Sequence, residues 1–364
     1  MKPFEHGGNV YSAGVRNLEV VDFSANINPL GLSDSIKKSI IDNMESLVHY
    51  PDPAGTLLKQ AISVHYGIDA DRVILGNGAV ELMYIYFHCR SPKNVLIPVP
   101  SFSEYERAAM AANCHIERLY MAKEQDFTLD RSALMELLPK VDAVVMGNPN
   151  NPTGELITRD DLEMIIAKAA KFGTDVLVDE SFLDFLSSDN DYTVMDLVGK
   201  YPNLLVLRSM TKFFAIPGLR LGFGVTNSEL MGKMEPGRDP WNVNLLAQMA
   251  GVAALKDKTY QMDSRQIISG CIDYLYRTLS SIEGLMVYKP SVNFILVTVE
   301  GTGMTSTEFV KAIGDKGILV RDCCNYPGMD DYHVRFAVRL MDENKKLVTA
   351  IRQVLAEKSR KVTT

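Results

Sequence analysis

Residues 204–225, LLVLRSMTKFFAIPGLRLGFGV, hold two short apolar runs separated by a polar segment. The runs Leu204–Leu207 and Leu221–Val225 are typical of buried strands. Between them lies the string Ser209-Met210-Thr211-Lys212, and Arg220 follows eight residues after the lysine. A lysine that bonds covalently to a carbonyl group must be neutral, while hydroxyls and an arginine bind phosphate. The segment is consistent with a reactive lysine beside a phosphate site, although the string alone is more typical of a solvated surface lysine, and the other motifs of the chain must decide.

Outward from this segment, short β-branched runs alternate with amphipathic helical patterns. Such alternation predicts an α/β fold with a mainly parallel sheet that is covered on both faces. One helix is well marked, because Thr158 can cap it, Asp161 can complete a capping box and Gly173 can end it. The predicted strands are Val73–Leu75, Val95–Val99, Val141–Met146, Val176–Val178, Leu204–Leu207 and Leu221–Val225.

The pattern changes after Trp241 to long helical periods. A strand at Asn293–Val299, a helix at Ser306–Lys316 and a strand at Val334–Val338 follow, and this order predicts a separate, smaller α+β domain. The expected organisation is an N-terminal segment 1–35 that packs near the small domain, a large domain 36–245 and a small domain 246–364.

The charge balance and the cysteines limit the kinds of partner. Lys and Arg number 38 and Asp and Glu number 45, so the net charge of −7 argues against a nucleic-acid or acidic-membrane surface. No segment approaches the ~20 apolar residues of a membrane span, and the N-terminus has no apolar signal run. The five cysteines lack metal-like spacing. We therefore expect a cytoplasmic protein with reduced thiols, no metal, and neither a nucleic-acid nor a membrane partner.

Three further polar motifs follow predicted strands, where open α/β sheets bind ligands. The turn Gly76-Asn77-Gly78-Ala79-Val80-Glu81 precedes an apolar helix, whose first backbone N–H groups can bind phosphate. Asn150-Asn151-Pro152-Thr153-Gly154 offers an amide that can donate to a phenolate oxygen. Asp179 ends a strand, where a buried carboxylate needs a cation such as a protonated pyridine nitrogen. Each motif alone fits an ordinary turn or cap, but all four in this order indicate a pyridoxal-phosphate (PLP) site.

With these motifs, the chain resembles the fold-type I PLP-dependent enzymes of the aspartate-aminotransferase superfamily over essentially its whole length. Its features are most similar to the branch of histidinol-phosphate aminotransferase and threonine-phosphate decarboxylase. The resemblance implies a homodimer, each chain having a mainly parallel seven-stranded sheet in its large domain. It implies that Lys212 bonds the cofactor, that Asp179 pairs with the pyridinium and that Asn151 bonds its O3′ oxygen. The other implied cofactor contacts are phosphate ligands at Gly78, Ala79, Val80, Ser209, Thr211 and Arg220, the ring-stacking and catalytic Tyr105, and Tyr50, which reaches the PLP phosphate across the dimer interface.

PLP enzymes select the bond that breaks by orienting the substrate, so substrate contacts decide the reaction. Three segments are similar to those of threonine-phosphate decarboxylases: His6-Gly7-Gly8-Asn9, the loop Asp22–Gly31 and the run Arg321–Gly328. Phe182 stands where typical aminotransferases have a tyrosine. O-phosphothreonine carries a phosphate and a carboxylate, and so needs two positive or N–H-rich sites. The implied substrate-binding residues are His6, Gly7, Asn26, Asn151, Arg321 and Arg335.

The resemblance implies decarboxylation of O-phospho-L-threonine to (R)-1-aminopropan-2-yl phosphate and CO2, a step of cobalamin biosynthesis. Departures from the family pattern leave the substrate open: Ala79-Val80 replaces a common Glu-Thr, Ser181 an alanine and Met329 a leucine. The alternatives are histidinol-phosphate aminotransferase, using glutamate and 2-oxoglutarate, and O-phosphoserine decarboxylase. A non-catalytic PLP-binding regulator is a further alternative, disfavoured because such regulators carry a DNA-binding domain.

Overall fold

A seven-stranded sheet forms the centre of the larger part of the chain. The computed structural model describes residues 7–8 and 20–362. The strand order is β2-β8-β7-β6-β5-β3-β4. Only β8 runs against the other six strands, because its pairings with both β2 and β7 are antiparallel. The strands of the described residues are β1 Val21–Asp22, β2 Val73–Gly76, β3 Asn94–Val99, β4 His115–Tyr120, β5 Ala143–Gly147, β6 Asp175–Asp179, β7 Leu204–Ser209, β8 Gly222–Thr226, β9 Met286–Val287, β10 Phe294–Thr298, β11 Ile318–Leu319, β12 Arg321–Asp322 and β13 His333–Ala337.

Helices cover both faces of this sheet and pack on a second, smaller one. The α-helices are α1 Asp34–Asp42, α2 Thr56–Tyr66, α3 Ala79–Arg90, α4 Glu104–Ala111, α5 Arg131–Leu137, α6 Arg159–Ala170, α7 Met210–Phe213, α8 Ser228–Met234, α9 Leu245–Lys256, α10 Lys258–Ser280, α11 Ser306–Gly314 and α12 Met341–Val362. No helix of the described residues is long and apolar enough to cross a membrane.

The mainly parallel seven-stranded sheet is confirmed. All six predicted strands of this sheet are present, with ends that differ from the prediction by at most two residues. The seventh strand, β4, was not predicted. It lies at the sheet edge beside β3, and its side chains are exposed or half-buried, so its sequence contains no apolar run.

The helix predicted after Thr158 is confirmed, but its capping box is only half formed. The Thr158 side chain accepts a hydrogen bond from the Asp161 backbone N–H. The Asp161 carboxylate instead accepts from the Thr158 hydroxyl at 2.8 Å and pairs with Arg131. The shorter aspartate therefore serves as an ion-pair partner, whereas Glu308 at the start of α11 completes a full capping box with Thr305.

The smaller sheet has the order β12-β13-β10-β9, and all its pairings are antiparallel. The predicted strands and helix of this region are confirmed as β10, β13 and α11, with α11 ending at Gly314. A separate apolar core joins this sheet to the C-terminal helices. The proposed domain boundaries at residues 35 and 245 stay predictions.

The segment that precedes α1 connects the two sheets. Val21–Asp22 pairs in parallel with β11, and the backbone of Phe23 bonds to Leu319 and Ala337. Farther along, the Asn28 N–H donates to the Lys212 carbonyl at 3.0 Å. Residues 24–26 consequently lie between the small sheet and the predicted reactive lysine.

Candidate active site

A cavity of about 410 Å³ opens at the carboxyl edge of the large sheet and is closed on one side by the small sheet. Strands β5, β6 and β7 all end there, because parallel strands present their carboxyl ends at the same edge. The predicted site residues that line it are Gly7, Asn26, Ala79, Val80, Tyr105, Asn151, Asp179, Ser209, Thr211, Lys212, Arg220, Arg321 and Arg335. His6 lies outside the described residues.

Lys212 lies on the short helix α7, directly after β7. Burial lowers the pKa of its amine to about 8, and the nearby charges of Arg220 and Arg335 act in the same direction. The Asp179 carboxylate opposes this shift. A neutral amine is thus accessible near neutral pH, as covalent bonding to a carbonyl carbon requires.

Asp179 is a buried carboxylate without a cationic side chain at ion-pair distance in the described part of the chain. Its Oδ1 accepts from the Ser181 N–H at 3.0 Å and from the Ser181 hydroxyl, and its Oδ2 accepts from the Tyr105 hydroxyl at 2.9 Å. Burial raises the pKa of Asp179, and these hydrogen bonds oppose that shift. A buried carboxylate held this way fits a protonated pyridine nitrogen, which would supply the missing positive charge.

Tyr105 lies on α4, and its ring is buried in the cavity wall. The Phe102 ring packs edge-on against it, with the ring centroids 5.6 Å apart. The Tyr105 hydroxyl donates to Asp179, the carboxylate that would pair with a pyridinium nitrogen. Ring stacking on the cofactor stays a prediction, and Phe102 adds an aromatic that the sequence did not single out.

The groups predicted to bind the cofactor phosphate are gathered at one end of the cavity. Helix α3 begins at Ala79 with no side-chain cap, and the Glu81 N–H donates to the Gly78 carbonyl at 3.3 Å, so the N–H groups of Ala79 and Val80 remain to bind an anion. The hydroxyls of Ser209 and Thr211 are 2.7 Å apart. Arg220 has no carboxylate at ion-pair distance among the described residues. Two hydroxyls, free helix amides and an unpaired guanidinium fit a phosphate dianion.

Gly78 is absent from the cavity lining but makes this arrangement possible. Its φ is +83°, a left-handed conformation that favours glycine, and a Cβ there would lie 2.4 Å from Arg220 Nη2. Gly78 therefore serves the phosphate end indirectly, by leaving space for the Arg220 guanidinium.

Arg321 and Arg335 occupy directly opposite positions on β12 and β13. Both side chains are 5% exposed, and no carboxylate of the described residues is at ion-pair distance from either. Arg321 donates to Asn325 Oδ1 at 2.9 Å and packs on the Tyr326 ring. Two buried guanidinium groups side by side repel each other unless an anion lies between them. The register of the small sheet therefore places two buried positive charges in the same wall of the cavity.

Arg335 also fixes the orientation of Asn151. It donates to Asn151 Oδ1 and to the Ser24 carbonyl, the latter at 2.9 Å. Since the Asn151 oxygen is occupied, its NH2 group remains available to donate, as bonding to a phenolate oxygen requires. The Ser24 carbonyl was not predicted, because a backbone acceptor leaves no trace in the side-chain sequence.

Gly7 and Asn26 contribute to the same wall. Gly7 packs so closely on Ser24 that a Cβ would lie 2.1 Å from the Ser24 carbonyl oxygen, and the Gly8 N–H donates to the Ser24 hydroxyl at 2.8 Å. Asn26 Oδ1 is buried and has no hydrogen-bond partner among the described residues. An unsatisfied buried oxygen facing a cavity is typical of a group that contacts a ligand.

Two further residues, Tyr50 and Ser181, have surroundings that the sequence did not indicate. Tyr50 is 77% exposed, is absent from the cavity lining and stacks on Trp241 with ring centroids 4.3 Å apart. Its predicted target is in the partner chain, so that role stays a prediction. Ser181, noted only as a departure from the family, donates twice to Asp179. Its position two residues after an aspartate is the signal of an Asx turn, which could have identified this contact.

The comparisons with known proteins agree with this geometry. The aminotransferase class I and II family matches residues 19–351. A threonine-phosphate decarboxylase of Salmonella typhimurium is 34% identical over 96% of this chain and 96% of that protein. A histidinol-phosphate aminotransferase of Methanococcus aeolicus is 29% identical over 93% of this chain and 90% of that protein.

Among solved structures, the histidinol-phosphate aminotransferase of Clostridium acetobutylicum superimposes with a TM-score of 0.87 at 31% identity. The superposition covers 93% of this chain and all of that chain. The relatives thus include two reaction types on one fold.

Proposed function

Since this chain belongs to the aminotransferase class I and II family, we propose that it decarboxylates O-phospho-L-threonine to (R)-1-aminopropan-2-yl phosphate and CO2. Its cofactor is PLP. The observation that carries the proposal is the buried pair Arg321 and Arg335, which lacks any carboxylate at ion-pair distance in the described residues. A substrate with both a phosphate and a carboxylate would neutralise this pair.

Charge-assisted hydrogen bonds contribute about 1.5–3 kcal/mol each. Two such anchors can hold a doubly anionic substrate in one orientation, and orientation decides which bond at the α-carbon breaks. The bond that lies perpendicular to the cofactor ring is the one weakened. We propose that Arg335 and Arg321, with Asn151, Asn26 and the amide of Gly7, hold the substrate so that its Cα–carboxylate bond takes this position.

PLP supplies the electron sink for the bonding pair that the departing CO2 leaves behind. The carbon that loses CO2 must then gain a proton, and Lys212 is the residue that we propose as its donor. Its amine, with a pKa of about 8, can hold a proton or release it near neutral pH, and we propose that it protonates the carbon that lost CO2. Asp179 is the proposed partner of the ring nitrogen, and Asn151 of O3′. The proposed phosphate ligands are Gly78, Ala79, Val80, Ser209, Thr211 and Arg220.

A second candidate, histidinol-phosphate aminotransferase, is favoured by one specific observation. Glutamate, the amino donor of that reaction, carries two carboxylates, which the pair Arg321 and Arg335 also fits. The decarboxylase assignment is supported by the higher identity to a protein of that name, 34% against 29%. It is also supported by Phe182, which lines the cavity and has no hydroxyl.

We further propose that the active unit is a homodimer. Several large apolar side chains around Tyr50 are exposed, and a monomer rarely exposes such a surface. Together with Trp241, which Tyr50 stacks on, they form a surface suited to a second copy of the chain. The exposed apolar residues of this surface are Ile41, Met44, Leu47, Val48, Tyr50, Leu57 and Trp241. Val48→Lys should shift the dimer to monomer in sedimentation, while Met286→Lys, exposed on the small sheet, should not; a dimer that persists in both variants would place the interface elsewhere.

The reaction is tested by giving the purified holoenzyme O-phospho-L-threonine, O-phospho-L-serine, or histidinol phosphate with 2-oxoglutarate. CO2 and glutamate are measured separately. The proposal expects CO2 with phosphothreonine and little glutamate; glutamate without CO2 would establish the aminotransferase instead. Release of CO2 mainly from phosphoserine would support decarboxylation as the reaction but identify phosphoserine as the substrate.

The cofactor lysine is tested by borohydride reduction followed by mass analysis. Lys212→Ala should lose the reducible link to PLP, whereas Lys171→Ala, an exposed lysine outside the cavity, should keep it. A link that survives in the Lys212 variant would show that another lysine holds the cofactor.

A further inference from the structure

We infer that a second cavity, formed by α2, residues 189–195 and the start of α10, binds a small phosphate-bearing anion. This cavity has a volume of about 360 Å³, within the range of small-molecule sites. None of its lining residues lines the candidate active site. His65, Lys258 and Arg265 line it, against the single carboxylate of Asp189.

Two basic side chains of this anion cavity are in direct contact, and a third lies close enough to influence them. Lys258 Nζ lies 2.7 Å from His65 Nδ1. Burial, followed by the nearby Lys258, lowers the pKa of His65, and burial, followed by the nearby Arg265, lowers that of Lys258. Among the described residues, no carboxylate lies at ion-pair distance from Lys258 or Arg265. An anion between these groups would remove the unfavourable balance of charge.

The donors that face the cavity can be assigned. His65 Nδ1 lies 2.7 Å from Lys258 Nζ and 3.2 Å from the Leu255 carbonyl oxygen, so this nitrogen is already engaged, while the Lys258 ammonium keeps two further N–H groups for a ligand. Arg265 uses Nε on the Asp184 carbonyl at 2.9 Å and lies over the Phe213 ring. Its two terminal nitrogens therefore remain for a ligand. An ammonium and a guanidinium edge are donors that a phosphate group takes.

The wall of the anion cavity is held rigidly from behind. Tyr66 donates to Asp184 Oδ1 at 3.0 Å, and Thr193 donates to Glu180 Oε2 at 2.8 Å. Both carboxylates are bound by Arg208, whose side chain is 0% exposed. Because this buried network fixes two lining side chains, the cavity is formed before a ligand arrives, and little ordering opposes binding.

The same network brings the anion cavity close to the reactive lysine. Arg265 packs on Phe213, the residue that follows Lys212, and Glu180 follows Asp179 in β6 and its turn. The thioether side chains of Met195 and Met262 also line the cavity, together with the amides of Asn190 and Gln261. The thioethers suit the carbon skeleton of a phosphate monoester, such as a sugar phosphate or a nucleoside monophosphate.

The test measures binding of inorganic phosphate to the holoenzyme by equilibrium dialysis. Wild type should bind phosphate at two classes of site per chain, one in each cavity. The double variant Lys258→Met, Arg265→Met should lose one class, with affinity reduced roughly tenfold or more. The control Lys256→Met, an exposed lysine outside the cavity, should retain both classes.

Arg321→Met supplies the complementary control, because it should weaken phosphate binding in the candidate active site and leave the anion cavity unchanged. Near-UV circular dichroism establishes that each variant is folded. A double variant that binds phosphate as wild type does would overturn the inference, whatever substrate the enzyme uses. Competition by glucose 6-phosphate and by AMP, measured on wild type and on Arg321→Met, then distinguishes a sugar phosphate from a nucleotide as the ligand.

Discussion

Replacing Arg321 by methionine separates substrate binding from folding. The side chain is buried and lies opposite Arg335, and it donates to Asn325 Oδ1 at 2.9 Å. Its removal costs one charge-assisted bond to the substrate, about 1.5–3 kcal/mol. At about 1.4 kcal/mol for each factor of ten, this is roughly a 10- to 150-fold increase in KM.

The same substitution should not destabilise the ligand-free protein, even though it weakens substrate binding. In the ligand-free protein the Arg321 guanidinium is buried without a carboxylate at ion-pair distance among the described residues, and methionine retains most of the buried volume without the charge. The free energy of unfolding of the ligand-free protein should therefore stay the same or increase. Wild type should also be stabilised more than the variant by added O-phospho-L-threonine, because a ligand stabilises the state that it binds.

The assay combines steady-state CO2 release with thermal unfolding, with and without the substrate. Arg339→Met is the matched control, because Arg339 follows β13, the strand of Arg335, but pairs with Glu343 outside the cavity. An Arg321 variant with wild-type KM and a lowered unfolding temperature would refute the reasoning. It would show that Arg321 supports the fold and does not bind the substrate.

Three other substitutions test the cofactor end of the cavity. Lys212→Met should remove a pH dependence of the free energy of unfolding of the cofactor-free protein. The folded pKa of about 8 lies below the ordinary 10.5, so the unfolded state binds more protons and stability rises between these values, by up to roughly 3 kcal/mol. Gly78→Ala should weaken PLP binding roughly tenfold or more in dialysis, because its Cβ displaces Arg220 and a charge-assisted bond is lost. Tyr105→Phe should destabilise the cofactor-free protein by about 1–3 kcal/mol in denaturant unfolding, by removing a donor from buried Asp179.

Controls isolate each cause. Lys171→Met removes an exposed lysine and should preserve the rise in stability with pH. Gly67→Ala imposes a similar backbone strain, at φ +68° with nothing within 4 Å, and should lower stability without changing PLP affinity. Equal losses of PLP affinity in both glycine variants would show that backbone strain, and not displacement of Arg220, weakens cofactor binding. A Tyr105 variant as stable as wild type would mean that water replaces the lost hydroxyl.

The buried elements were predictable because burial leaves a strong local signal. Strands such as Val176–Val178 are continuous apolar runs, and Asp179 at the end of one is conspicuous because a buried carboxylate is costly. The edge strand β4 has mostly exposed side chains and carries no such signal. The anion cavity was not predicted either, since its basic residues come from α2 and α10, about 190 residues apart in sequence and joined only by the fold.

The pairing register of β12 and β13 decides whether two arginines lie together at the candidate site. The sequence could indicate the two residues as candidates, but it could not predict this register. Arg321 and Arg335 could be singled out, but a shift of one residue in the β12–β13 pairing would turn one guanidinium to the other face of the sheet. The observed register also gives the two arginines different duties. Arg335 bonds Ser24 and the Asn151 oxygen, so its loss would disturb the cofactor contact of Asn151 as well as the substrate. Arg321 has no such link in the described residues. A change in KM without a change in PLP affinity is therefore expected from Arg321→Met, and a change in both from Arg335→Met, with PLP affinity measured by dialysis in each variant.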